Sequence, residues 1–105
     1  MSRTLIAQRR AGRGARLMDM GHPGWASNIN RGRLNISNPS ACVLHQVYGS
    51  YIAGCRDLEF DTCHKVAYGF LVAVTFRLFA DTRRLNQAWM KEIEERLDLR
   101  LQQVA

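Results

Sequence analysis

The chain has 105 residues, 47% of them apolar and 23% charged, with eight glycines and two prolines, which is the size and composition of one globular domain and excludes a disordered or fibrous chain. Its longest apolar run, residues 70–79, is interrupted by Thr75 and Arg77, so it falls short of the roughly 18 apolar residues of a membrane span and no membrane partner is expected. The formal charge of +6 comes entirely from the first third, where Arg3, Arg9, Arg10, Arg13, Arg16, Arg31 and Arg33 face the single acid Asp19.

The expected architecture is mainly α, with three to four helices and, as the α+β variant, a short strand element at 71–79. Residues 1–12 read as a basic amino-terminal arm or frayed helix and residues 13–105 as a single globular domain. Over residues 4–20, Ala7, Ala11 and Ala15 repeat every four positions and Met18 continues their face, which predicts a helix. Arg9, Arg13 and Arg16 share a different face of it. Gly12 and Gly14 each weaken a helix by roughly 1 kcal/mol relative to alanine, which is why the first dozen residues read as an arm that orders on a partner. Gly21, Pro23 and Gly24 end the pattern, and Pro23 starts a short helical turn over 23–29. Trp25, after that turn, and Trp89, in the last helix, are expected to be buried anchors.

Residues 28–40 have the Asn, Ser and Gly content of a structured loop, pinned by Leu34 and Ile36, with Ser37, Asn38 and Ser40 as caps for the next helix. That helix, residues 41–58, is expected to be the central one: Val43, Val47, Tyr51, Cys55 and Leu58 form its stripe, Leu44, Tyr48 and Ile52 widen it, and Gly49 and Gly54 are places for a bend. Asp61 or Thr62 caps a short helix that Gly69 stops after Tyr68. Strand and buried helix both fit residues 71–79, extended structure being the favoured reading. A carboxy-terminal helix over 82–103, capped by Asp81 or Thr82, repeats Leu85, Trp89, Ile93, Leu97 and Leu101 every four residues, with Glu92 and Arg96 placed for an i,i+4 ion pair.

Chemistry-bearing residues are few. Cys42, Cys55 and Cys63 are odd in number, and the amino terminus lacks the apolar stretch of roughly 7–15 residues that an export signal needs, so reduced thiols in the cytoplasm are expected. Cys42 and His45 have metal-ligand spacing, but on one unbroken helix Cys42 and Cys55 would stand about 20 Å apart, so no metal site is expected. A thiol nucleophile would pair Cys63 with His64 or His45, but side chains adjacent in sequence are expected to diverge and no flanking signature supports such a pair. No catalytic constellation and no cofactor motif is present, and the chain is not expected to be an enzyme.

The candidate site is therefore the arginine set itself: Arg3, Arg9, Arg10, Arg13, Arg16, Arg31 and Arg33. Thirteen of the fifteen basic side chains are arginine, whose planar forks bind phosphate and carboxylate alike; a source genome rich in G and C would produce the same bias. The segments Gly14-Ala-Arg-Leu-Met, Pro23-Gly-Trp, Leu34-Asn-Ile, Cys42-Val-Leu-His-Gln-Val-Tyr-Gly-Ser-Tyr, Tyr68-Gly-Phe and Leu85-Asn-Gln-Ala-Trp-Met-Lys-Glu-Ile resemble a group of small proteins of actinobacteria and their phages, over about residues 13–96. The resemblance implies a context rather than an activity: an accessory product of a phage or mobile element in a bacterial cytoplasm. Two functions are expected in that context. One is a non-enzymatic protein that binds and modulates a host protein or ribonucleoprotein complex, such as a defence or nucleic-acid-processing machine. The alternative is a direct binder of RNA, DNA or a nucleotide through the arginine-rich third, and self-association is compatible with either.

Overall fold

A computed structural model describes residues 2–38, 40–58, 62–70 and 78–104. Its frame is a pair of long helices, α1 (Arg3–Gly21) and α5 (Leu78–Val104). Ser2 opens α1 from extended backbone, and its hydroxyl accepts the Leu5 N–H at 3.0 Å, satisfying one of the donors a helix start leaves unpaired. Ala7, Ala11, Gly14, Ala15 and Met18 form the buried face. Because most of these side chains are small, the bulky apolar residues of α5, led by Trp89, come in close against the α1 backbone.

The two helices run parallel. Arg3 Nη1 meets the Asp81 carboxylate at 2.9 Å near one end, and Arg96 Nη2 meets Asp19 at 2.8 Å near the other, so both contacts span almost the same sequence separation, 78 and 77 residues. A parallel pair needs a long crossover, and residues 22–77 are that crossover. It holds two 3-10 turns, Trp25–Asn28 and Arg31–Arg33, and three short helices, α2 (Val43–Tyr48), α3 (Tyr51–Asp57) and α4 (Thr62–Ala67). The molecule is mainly helical, and no strand occurs among the described residues. The strand reading of 71–79 falls mostly on residues 71–77, which lie outside the described ones; 78 and 79 already belong to α5.

Four expectations are corrected. The helix expected over 41–58 is two helices: Gly49 closes α2 in the left-handed region at φ 84°, and the Ser50 hydroxyl caps α3 by accepting from the Ala53 N–H. The cap of α2 is Cys42, without a side-chain bond; Asn38 instead turns back on the Ser40 N–H, and Asn35 accepts from both the Ser37 N–H and its hydroxyl. The last helix begins four residues earlier than 82, so Asp81 lies within its first turn rather than at its cap. Residues 3–12, read as an arm or frayed helix, are the first half of α1, with Ala7 and Ala11 buried in the common core.

That core centres on Trp25 and Trp89, 1% and 0% exposed. Their rings meet edge to face at 5.7 Å, and Phe70 lies 5.1 Å from Trp89. At about 25 cal/mol per Å2 and roughly 200 Å2 each, two buried tryptophans contribute up to roughly 10 kcal/mol of transfer free energy. Leu34 and Ile36 are buried as expected. Their backbone is held by Asn86 of α5, which accepts the Ile36 N–H at 2.8 Å and donates to the Leu34 carbonyl at 3.2 Å, as a neighbouring strand would. The 68–70 turn locks α4 onto the pair: Trp89 Nε1 donates to the Gly69 carbonyl at 2.7 Å, and Gly69, at φ 77°, rests on the backbone of Arg10 and Ala11.

Candidate functional site

The fold sorts the seven arginines of the first third into groups. Arg3 is paired with Asp81, which also accepts from Arg84 at 3.2 Å. Arg31 approaches Glu94 at 3.7 Å, both side chains being about half exposed. Arg10 is half-buried beside the 68–70 turn, and Arg33 is exposed on the second 3-10 turn. Arg9, Arg13 and Arg16 remain. They project from α1 on the side away from Ala7, Ala11 and Ala15, all three exposed, and make no ion pair or side-chain hydrogen bond with any described residue.

These three arginines, with Gln8, Gly12 and Glu92, line an open groove of about 430 Å3 along the outer edge of the α1–α5 pair. Gly12 keeps its floor clear: a Cβ there would stand 3.3 Å from both Arg16 Nη1 and Glu92 Oε1. The one carboxylate on the rim is already engaged, because Glu92 Oε2 accepts from Arg96 Nη1 at 2.8 Å. That leaves a local excess of positive charge on a rigid helix. Arg9 and Arg13 are four apart and Arg13 and Arg16 three apart, so their mutual repulsion costs the helix a few tenths of a kcal/mol per pair. Two of the three exposed large apolar residues among the described ones are also on α1: Leu5, 40% exposed, and Met20, 80% exposed. The sequence does not place Gln8, Gly12, Glu92, Leu5 or Met20 at the site; for the four on α1 helical spacing from the arginines is the available signal, whereas Glu92 is brought in only by the packing of α5.

The helix that carries the arginines is held at its far end by Asp19. Its carboxylate accepts from Arg96 Nε and Nη2, both at 2.8 Å, and from the Trp25 indole N–H at 2.9 Å; the Arg96 guanidinium lies over the Trp25 ring at 5.6 Å. The Arg96 hydrogen bond holds the Asp19 carboxyl below its ordinary value, against a smaller opposing push from burial, and Asp19 in turn raises Arg96. Asp19, the only acid of the first third, is committed by hydrogen bonds to Arg96 and Trp25; the nearby Arg16 charge also favours its carboxylate, more weakly and without a salt bridge.

Elsewhere, a cleft of about 570 Å3 lies between the 35–37 loop and α5, lined by Asn35, Ser37, Thr82, Arg83, Asn86, Gln87 and Met90; Asn86 is committed to the loop backbone. The broken helix also overturns the spacing used to separate Cys42 from Cys55. With α3 folded back on α2, the Leu44 Cβ would be 2.9 Å from a Cβ on Gly54, and Cys55 comes near enough to both Cys42 and the Tyr51 phenol to add to the push that burial gives each of them. Among the described residues no three His, Cys, Asp or Glu side chains gather as a metal would require; the side chains of Cys63 and His64 lie outside them. No helix there is long and apolar enough to cross a membrane. In comparisons with protein-family models, curated proteins and solved structures, the chain matches none.

Proposed function

We propose that this protein is a non-enzymatic binding module that docks on an anionic macromolecular partner through the outer face of α1. One observation carries the reading: Arg9, Arg13 and Arg16 stand together, exposed and without a salt bridge to any described residue, while Arg3 and Arg31 of the same third are paired. A cluster that folding disfavours by like-charge repulsion is accounted for by an anion that arrives later. The resemblance to small phage and actinobacterial proteins supplies the setting: a bacterial cytoplasm, with a host defence or nucleic-acid-processing complex as the target to be modulated.

The test compares R9E/R13E/R16E with a control of equal charge change, R56E/R83E/K91E, on polyglutamate and on random-sequence single-stranded and duplex DNA. Binding of at least one polyanion should vanish in the first variant and persist in the control, with thermal midpoints of both near that of the parent. Binding that survives the first variant, or falls equally in both, removes the ridge as the site. The second reading is a phosphodiester backbone lying along the ridge, favoured by the arginine-only composition of the cluster. Three phosphate contacts predict that log K falls against log salt with a slope of about −2.7 for duplex and about −2.1 for single strands.

A further inference from the structure

We infer that the occupant of the α1 face is an acidic amphipathic helix of a partner protein, which lays carboxylates on Arg9, Arg13 and Arg16 and apolar side chains on Leu5 and Met20. This rests on the reading of the ridge as an anion site and goes further by naming the partner. Positions 5, 9, 13, 16 and 20 are spaced four, four, three and four, a single stripe on the outside of α1. The stripe therefore runs apolar, three cations, apolar, over about 22 Å at 1.5 Å per residue. All five residues are exposed, and Met20, at 80%, is the most open of the exposed large apolar side chains.

A phosphodiester backbone accounts for the three arginines but has no use for an apolar side chain at each end. A helix packed alongside accounts for all five, since apolar residues one turn outside a trio of acids would cover Leu5 and Met20 while the carboxylates take the guanidinium forks. Such pairs gain further when the flanking contacts exclude water from them. The receiving helix is prepared for this: Arg3–Asp81 fixes it near its start and Asp19–Arg96 near its end, so little ordering is left for association to pay for. A second copy of the chain is a poorer occupant. The exposed acids of α3 and α5 among the described residues, Asp57, Glu94, Glu95 and Asp98, sit on a molecule of net charge +6, which repels its like.

The test is selection of displayed helical 20-residue peptides on the intact protein, with R9E/R13E/R16E as the counter-target. Recovered peptides should carry three acids on one face with an apolar residue about one turn beyond each end. Their affinity should fall at least tenfold on R9E/R13E/R16E and at least fivefold on L5S/M20S, two exposed changes that leave the fold intact. The inference is overturned if no acidic helical pattern is enriched, if L5S/M20S binds the peptides as well as the parent, or if the ridge is occupied by a second copy, seen as a dimer in sedimentation that R9E/R13E/R16E dissociates. Nucleic acid that binds through the three arginines and ignores L5S/M20S would overturn this inference and leave the anion site standing. Loss of both, with neither peptide nor nucleic acid bound, removes the two together.

Discussion

Two glycines two positions apart in α1 have opposite meanings. At Gly14 a Cβ would collide with the Tyr68 carbonyl oxygen and stand 2.8 Å from two ring carbons of Trp89; backbone and a fully buried ring have nowhere to go. At Gly12 the neighbours are the side-chain tips of Arg16 and Glu92, at 3.3 Å, which need shift by only a few tenths of an ångström, a movement the Glu92–Arg96 pair can follow. Gly14→Ala should therefore cost about 3 kcal/mol through overpacking, whereas Gly12→Ala should be neutral or stabilising by up to about 1 kcal/mol through helix propensity while making the groove shallower; chemical denaturation of the two variants checks the contrast. From sequence alone both looked like helix weakeners, because the difference lies in what crosses α1 from elsewhere in the chain. Asp19 was obscured in the same way. A lone acid among arginines has many local partners on paper, and the one it takes, Arg96, lies 77 residues away. Asp19→Ala should cost about 2 kcal/mol, about half from the partly exposed ion pair and half from the indole N–H left unpaired, lowering the thermal midpoint by about 10 °C. Asp19→Asn keeps an acceptor for Trp25 and should lose about half as much. Since the Asp19 carboxyl is held below its ordinary value of 3.8, its contribution is complete above that pH and disappears as the pH falls through the lowered value; an acid-unfolding series should show a flatter limb for Asp19→Asn.

Among the elements, α1 and the last helix were legible because their apolar residues repeat every four positions over several turns. The α2–α3 hairpin was not, and its own regularity hid the break. Val43, Val47, Tyr51 and Cys55 keep an interval of four across Gly49 because both short helices turn their apolar sides to the same core cluster, so the stripe runs on through a link of only Gly49 and Ser50. Gly49 itself was the visible clue, and its left-handed φ of 84° gives it a measurable role: Gly49→Ala should cost about 1 kcal/mol and leave binding to the α1 face unchanged. Within the hairpin, burial first and the Cys55 thiol beside it next push the Tyr51 phenol up from 10.0 to about 12. A phenol raised in the folded state contributes stability that is complete below pH 10 and lost as the pH climbs from 10 through 12. Absorbance-monitored alkaline titration should find an unfolding limb in that window, and Tyr51→Phe should flatten it.

For the molecule as a whole, the charge asymmetry read from the sequence persists in three dimensions only after the fold has claimed its share. Asp81, Glu94, Asp19 and Glu92 take Arg3, Arg31 and Arg96, and the residue of that sorting is the α1 ridge. The arginines were legible as a group; which of them stay free was not, because that depends on the parallel alignment of α1 with α5. The same alignment bears on how the chain finds its fold. Nearly every contact between the frame helices joins residues about three quarters of the chain apart, so loop closure across the crossover opposes folding by about 2 kcal/mol more than closure of a ten-residue loop. Helical domains whose contacts are local fold in microseconds to milliseconds, and this one should instead fold at the slow end of that range or beyond it, with a single stopped-flow phase slowed further by Ala11→Gly if α1–α5 pairing is the rate-limiting event. On the ribosome the consequence is sharper: Trp25 and the small-residue face of α1 around Gly14 have no Trp89 to cover them until the last quarter of the chain has emerged, so through most of its synthesis the growing polypeptide displays apolar surface and the arginine-rich segment together.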